Sequence, residues 1–206
     1  MSRLTHAGFT LWELLITIAV MGIVLGLGVP SFLEFVRNNT MAANANELVT
    51  ALYMARSEAV KQQTPITLCA SANPTAADPV CGGAVNGGFV VFVDDNDTNG
   101  DGLPDGDGII QVGEQILIQQ DEPGGTLNVF ADSFYVSYAP TGFLRNAPGQ
   151  PTGATTVLYC DERGNKDTGG GISAARVVNI APTGRPQLVR EMVDVANAAA
   201  ALGVGC

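Results

Sequence analysis

Ala7-Gly8-Phe9-Thr10-Leu11-Trp12-Glu13 runs straight into Leu14-Leu15-Ile16-Thr17-Ile18-Ala19-Val20 and places one carboxylate at the mouth of an apolar segment. From Phe9 to Val29 there are 21 residues with Glu13 as the only charge. A helix of that size is about 30 Å long, enough to cross the hydrocarbon core of a bilayer. A secretory signal places its small-residue cleavage site after the apolar run. Here the processing-like site, Gly8 followed by Phe9, precedes the run, so the apolar segment would stay on the mature chain. A charge at the centre of a span costs about 2.5–3.5 kcal/mol and usually marks function. Glu13 lies near the end of the span, where the cost is lower. An interfacial glutamate that snorkels towards water is the plainer reading.

The eight-residue leader carries Arg3 and no acid, which favours a cytoplasmic N-terminus, and the chain after Val29 would then lie on the other side of the membrane. Beyond the span roughly 175 residues remain, the size of one compact domain. The net charge is −10, but it is unevenly spread. Six Asp lie between Asp94 and Asp107, whereas Thr141 to Arg190 holds six basic residues against three acids. Four cysteines suit an oxidising periplasm and read as two disulfides. Of the three connectivities that four cysteines allow, we favour Cys69 with Cys81 and Cys160 with Cys206. Metal binding through sulfur is disfavoured, because no two cysteines have close zinc-knuckle spacing and the single histidine, His6, lies in the leader.

The helix is expected to run from about Thr10 to Gln63, kinked at Pro30 and stopped by Pro65, which disfavours helical geometry at Thr64. Ala45, Leu48, Leu52, Ala55 and Ala59 recur at spacings of three and four, an amphipathic stripe for packing on a sheet. Short runs rich in Val, Ile, Phe and Tyr, separated by Gly, Pro and Asn turns, predict eight strands. They are Ile66–Ala70, Phe89–Val93, Gln115–Gln119, Leu127–Phe130, Phe134–Tyr138, Thr156–Cys160, Val177–Ile180 and Gln187–Arg190. An alanine-rich tail from Val193 to Leu202 predicts a short helix ending at Gly203. A long helix followed by a mainly antiparallel sheet is an α+β arrangement.

Enzyme chemistry finds little support. The chain after the leader has no histidine, no nucleophile-plus-base spacing and no phosphate loop. Gly169-Gly170-Gly171 lacks the Lys-Ser/Thr that a phosphate loop needs and reads as a flexible connection. The acidic loop admits two readings. Asp95-x-Asp97-x-Asn99-Gly100 copies the opening of a calcium loop, and Asp97-x-Asn99-x-Asp101-Gly102-x-Pro104-Asp105 fits an oxygen-rich calcium-repeat pattern. Neither register supplies a bidentate Glu at position twelve, where Gly106 or Gly108 stands instead. Calcium is thus one expectation for Asp95, Asp97, Asn99, Asp101 and Asp105, and a solvated hairpin loop is the other.

The leader ending in Gly8, followed by Phe9-Thr10-Leu11-Trp12-Glu13, resembles the type IV pilin and type II secretion pseudopilin class. Further along, Leu48-x3-Leu52-x2-Ala55-Arg56-x2-Ala59, Gly88-Phe89-Val90-Val91-Phe92-Val93-Asp94, Leu158-Tyr159-Cys160-Asp161 and Ile180-Ala181-Pro182-Thr183-Gly184-Arg185 resemble the minor pilin and H-type pseudopilin family of FimT-, FimU- and GspH-like proteins. The resemblance implies a pilin fold. Its parts would be a leader (1–8), a membrane and filament-core helix (9–29), an amphipathic continuation (30–64) and a periplasmic β-rich domain (65–206). It implies that a prepilin peptidase cuts after Gly8 and methylates the amine of Phe9. It also implies that Glu13 pairs with the Phe9 amine of a neighbouring subunit.

The implied function is that of a non-enzymatic structural subunit, a minor type IV pilin that helps initiate or cap the fibre. An H-type pseudopilin of a type II secretion system is the close alternative. The implied partners are the peptidase, the inner membrane, and other minor pilins and the major pilin through their N-terminal helices. The chain would sit in the bacterial inner membrane as a single-pass protein and then enter a pilus or pseudopilus. No cofactor is implied apart from calcium at the acidic loop. Some FimT-like proteins bind DNA through a Gly-Arg-x-Arg segment. This chain reads Gly184-Arg185-Pro186-Gln187, so Arg176 and Arg190 would have to stand in for the absent second arginine. Nucleic-acid affinity comes mainly from phosphate neutralisation, and a net charge of −10 counts against DNA as a partner.

Overall fold

The computed structural model describes residues 9–83, 85–97, 100, 102, 104–124 and 126–206. Among the described residues, helix α1 (Leu11–Gln62) is followed by nine strands, a 3-10 turn at Val85–Gly87 between the first two of them, and a second helix, α2 (Met192–Leu202). By its internal packing the chain divides into two units, the first ending at Asn39 and the second running Thr40–Cys206.

In the first unit, α1 begins at a reciprocal cap. The Glu13 amide donates to Thr10 Oγ1 (3.3 Å), while Glu13 Oε2 accepts from the Thr10 amide (2.8 Å) and hydroxyl (2.9 Å). This Thr-x-x-Glu capping box satisfies donors that a first helical turn leaves without partners. The helix continues through Pro30, whose missing amide withholds one hydrogen bond from the Gly26 carbonyl. The Thr17 hydroxyl donates to the Leu14 carbonyl (2.8 Å) and Ser31 to Leu27 (3.3 Å), so neither needs a partner outside the helix. Residues 9–37 are all exposed. An 18-residue window here has a mean hydropathy of 2.3 with none of it buried, and the helix is long and apolar enough to cross a membrane.

The second unit holds the rest of α1 against two antiparallel sheets. The strands are β1 (Ile66–Ala70), β2 (Phe89–Val93), β3 (Ile116–Gln120), β4 (Asn128–Ala131), β5 (Tyr135–Tyr138), β6 (Leu144–Arg145), β7 (Thr156–Cys160), β8 (Ile172–Ile180) and β9 (Pro186–Glu191). One sheet has the order β3-β2-β1-β5-β6 and the other β4-β7-β8-β9. Ile66 on β1 pairs with Val93 on one side and Tyr138 on the other. The buried stripe of α1 is Met41, Ala45, Leu48, Ala51, Leu52, Ala55 and Ala59. It packs with Leu68 and Val91 of the first sheet and with Val157, Tyr159 and Val178 of the second. The alanines let the helix lie close to the strands.

Each sheet is covered on its other face as well. Cys69, Val90, Phe92 and Tyr135 pack with Ala147 behind the first sheet, and α2 covers Leu158, Ala175 and Val177 behind the second. Burial on both faces explains why every residue of β1 is buried, Thr67 included, rather than alternate ones.

The expected elements are present, β1, β2 and β7 with the expected bounds and the others with shifted ends, and three features differ. The strands form two sheets rather than one, because pairing between distant strands leaves no local mark. Strand β8 begins at Ile172 rather than Val177, since a register shift between those residues carries the low-propensity Ser173-Ala174-Ala175-Arg176 into the strand. The two-residue β6 was too short to register as a period. Helix α2 ends at Gly203, which adopts a left-handed backbone and donates its amide to Ala199 and Ala200.

Candidate functional site

Of the N-terminal candidates, Phe9 and Glu13 are both exposed. Phe9 is 87% exposed, and Gly8 lies outside the described residues. Within the chain Glu13 is a cap for its own helix, and its Oε1 accepts no hydrogen bond among the described residues. The sequence reading assigned Glu13 a role without noticing this cap, although Thr10-x-x-Glu13 carries the signal.

Two disulfides pin the second unit. Cys69 on β1 is joined to Cys81 with their Cα atoms 5.5 Å apart, and Cys160 at the end of β7 is joined to Cys206 with 5.9 Å between Cα atoms. The second bridge holds the segment after α2 against the turn at Gly164, where an added β-carbon would lie 2.9 Å from the Cys206 backbone.

The acidic loop is organised from within. Asp94 is fully buried and accepts from the Thr67 hydroxyl (2.6 Å) and from the amides of Asp107 (2.9 Å) and Gly108 (3.0 Å). Gly106 passes so close that a β-carbon on it would stand 2.6 Å from Asp94 Cγ. Arg145 Nη2 donates to the Gly106 carbonyl (2.8 Å). Burial raises the Asp94 carboxyl above the usual range, with the Asp107 charge adding to it against the hydrogen bonds from Thr67 and Gly108. Asp97 accepts from the amides of Gly100 (2.6 Å) and Gly102 (2.8 Å).

Of the calcium candidates, Asn99 and Asp101 lie outside the described residues. Among the described residues no three carboxylates, thiols or imidazoles converge as metal ligands. Sequence reasoning missed Glu114. Burial pushes its carboxyl up to about 7, helped by the charges of Asp94, Asp107 and Asp95 and opposed by the Gln111 amide, which donates to Oε2 (2.7 Å).

The Gly184-Arg185 segment has a packing reason for its glycine. Gly184 has φ +77°, and a β-carbon there would lie 2.4 Å from the Gly142 carbonyl oxygen and 2.9 Å from the Tyr138 ring. Arg185 is exposed at this turn between β8 and β9. Arg176 and Arg190 lie on those two strands. Ile180 pairs with Pro186 beside the turn, so Arg176 is four residues farther along, about 13 Å at strand rise. The three arginines do not form one cluster. Instead Arg176 neighbours Arg190 and Arg163, and Arg163 had not been singled out.

Comparison with known proteins adds the following. Residues 3–29 match the model of the prokaryotic N-terminal methylation motif, and residues 44–184 match that of type II transport protein GspH. No curated protein matches the chain. Two crystal structures of the type IV minor pilin FimU from Pseudomonas aeruginosa are similar to it. One is 24% identical over 75% of this chain and 92% of that chain, with a TM-score of 0.46. The other is 23% identical over 72% and 91%, with a TM-score of 0.42. With most of its length matched by one family model and its N-terminus by the methylation motif, the chain belongs to the GspH family of type II transport proteins, the structural pilin and pseudopilin subunits.

Proposed function

We propose that this chain is a minor type IV pilin that helps initiate or cap a fibre, processed after Gly8 and N-methylated at Phe9. The observation that carries the reading is the exposed apolar stretch of α1, headed by the Thr10–Glu13 cap and matched by the methylation motif. So much apolar surface is stable only in lipid or against other helices, because burying one Leu, Ile or Phe side chain returns about 1.5–3 kcal/mol. The chain would rest in the inner membrane with its second unit in the periplasm. Helix packing against other pilins would then replace lipid. The unused Glu13 oxygen would meet the Phe9 amine of a neighbour, two charges that are costly alone and tolerable together.

Intact-mass and N-terminal analysis, with and without a prepilin peptidase, tests this. A peptidase-dependent terminus at Phe9 carrying one added methyl group is the expected result. An unprocessed chain, or one cut after the apolar run, would remove the filament role.

The match to the GspH model favours a second reading, the H-type pseudopilin of a type II secretion system. Deleting the chain separates the two. Loss of surface pili with secretion intact supports the first, and the reverse supports the second.

A further inference from the structure

Arg176 is only 7% exposed, yet no carboxylate is within ion-pairing distance of it among the described residues. It lies on β8 at the register shift opposite β9. There Nη1 donates to three main-chain carbonyls, those of Ser173 (2.6 Å), Ala174 (3.2 Å) and Ala175 (2.8 Å). Nε and Nη2 donate to nothing among the described residues, and neither is sealed from solvent.

The surrounding charges do not neutralise it. Burial first, and then the nearby Arg190 and Arg163, weaken its hold on its proton, with Asp161 opposing them. Asp161 is already engaged by the Arg163 side chain, through Nε (3.1 and 3.0 Å) and Nη2 (2.6 Å), and by the Arg163 amide (2.9 Å). Glu191 accepts from the main-chain amide of Arg190 (3.1 Å).

A largely buried guanidinium with no counter-charge in contact is costly, and its one open edge is where that charge can be supplied. The free Nε and Nη2 form one edge of the planar fork that matches a carboxylate with two parallel hydrogen bonds. We propose that Arg176, flanked by Arg190 and Arg163, is the docking point for the carboxylate of an Asp or Glu on another polypeptide. A recessed guanidinium is reached by a slim side chain. A nucleic-acid backbone needs a row of exposed cations, and this chain carries a net charge of −10. On the assembly reading above, the other polypeptide is a neighbouring subunit, but the preference for a carboxylate rests on the charges alone.

The test uses the full chain in detergent at fixed ionic strength. The probes are a synthetic peptide copying residues 94–107, which holds six Asp, the same peptide with Asn for every Asp, inorganic phosphate and a short DNA duplex. The acidic peptide is expected to raise the Tm of the wild type saturably and to leave Arg176→Met unmoved. Its Kd should weaken roughly tenfold or more in Arg190→Ala, a substitution at an exposed residue. If Arg176→Met fails to fold, Arg176→Lys, which keeps the charge and loses the fork, takes its place with the same expected loss. Equal stabilisation of wild type and variant, no stabilisation of either, or binding of phosphate or duplex in place of the acidic peptide overturns the proposal. Processing at Phe9 is scored separately, so failure of the pilin reading and failure of the carboxylate site are distinguishable.

Discussion

The fully buried carboxylate of Asp94 receives the Thr67 hydroxyl at 2.6 Å, and that hydroxyl lies 2.8 Å from Ser137 Oγ. The contact joins β1, β5 and the residue that follows β2. Through the amides of Asp107 and Gly108 it also closes the acidic loop onto the first sheet.

Asp94→Ala should therefore destabilise the second unit by about 2 kcal/mol or more, because the buried Gly108 amide loses its acceptor and the Thr67 hydroxyl and Asp107 amide are left with only Ser137 Oγ and Asn96 Oδ1. Asp94→Asn keeps a carbonyl acceptor and should cost less. Thermal unfolding of the two variants beside the wild type checks the order; equal Tm values would mean the loop does not depend on this carboxylate.

Glu114 gives a pH dependence with a definite sign. Its carboxyl is raised from the ordinary 4.5 to about 7 in the folded chain. The folded state therefore holds this proton more tightly than the unfolded chain, and the stability it contributes is present below pH 4.5 and lost as pH rises through 7. The carboxyl is only half-buried, so solvent screening limits the effect to the order of 1 kcal/mol. Glu114→Gln should flatten the Tm-against-pH curve over that window. An unchanged slope would assign the dependence to Asp94, whose shift has the same direction.

Two substitutions around one glycine should act in opposite senses. Gly184→Ala places a β-carbon against the Gly142 carbonyl in a left-handed backbone and should cost about 3 kcal/mol. Tyr138→Phe removes a buried hydroxyl that has no hydrogen-bond partner among the described residues. It should be neutral or stabilising by about 1 kcal/mol. A marked loss in Tyr138→Phe would reveal an ordered partner for that hydroxyl.

The disulfides should differ in worth. Cys160 and Cys206 are 46 residues apart and Cys69 and Cys81 are 12 apart. By loop-closure entropy their removal should cost about 4 and about 3 kcal/mol. Denaturant midpoints of the two double-serine variants test the ranking.

For assembly, Glu13→Gln is more informative than Glu13→Ala, since glutamine can preserve the reciprocal cap with Thr10. If the charge itself mates with a neighbour's amine, Glu13→Gln should be processed normally and fail to enter fibres. Wild-type incorporation would reduce Glu13 to a helix cap.

Much of this was legible in the sequence. The apolar run to Val29 and the Ala45–Ala59 stripe fixed the length and buried face of α1, because helical period is a local property. The division into two sheets was not legible, since it depends on which strands pair across long separations. Nor was the burial of Arg176. A single arginine in an alanine-rich stretch looks solvent-facing until a bulge turns it inward. Asp94 was counted as one more loop acid, and only the approach of Thr67 and Gly106 sets it apart from Asp95.

The hydroxyls of Thr17 and Ser31 turn back onto carbonyls of their own helix, and nothing lies near the spots where β-carbons on Gly22 and Gly26 would sit. These hydroxyls ask nothing of their surroundings except that they be oily. Exchanging lipid tails for the flank of another protein would leave both of their hydrogen bonds intact. Along this stretch the choice between the two environments would fall to fit, and the open glycine face would let a neighbouring helix approach closely.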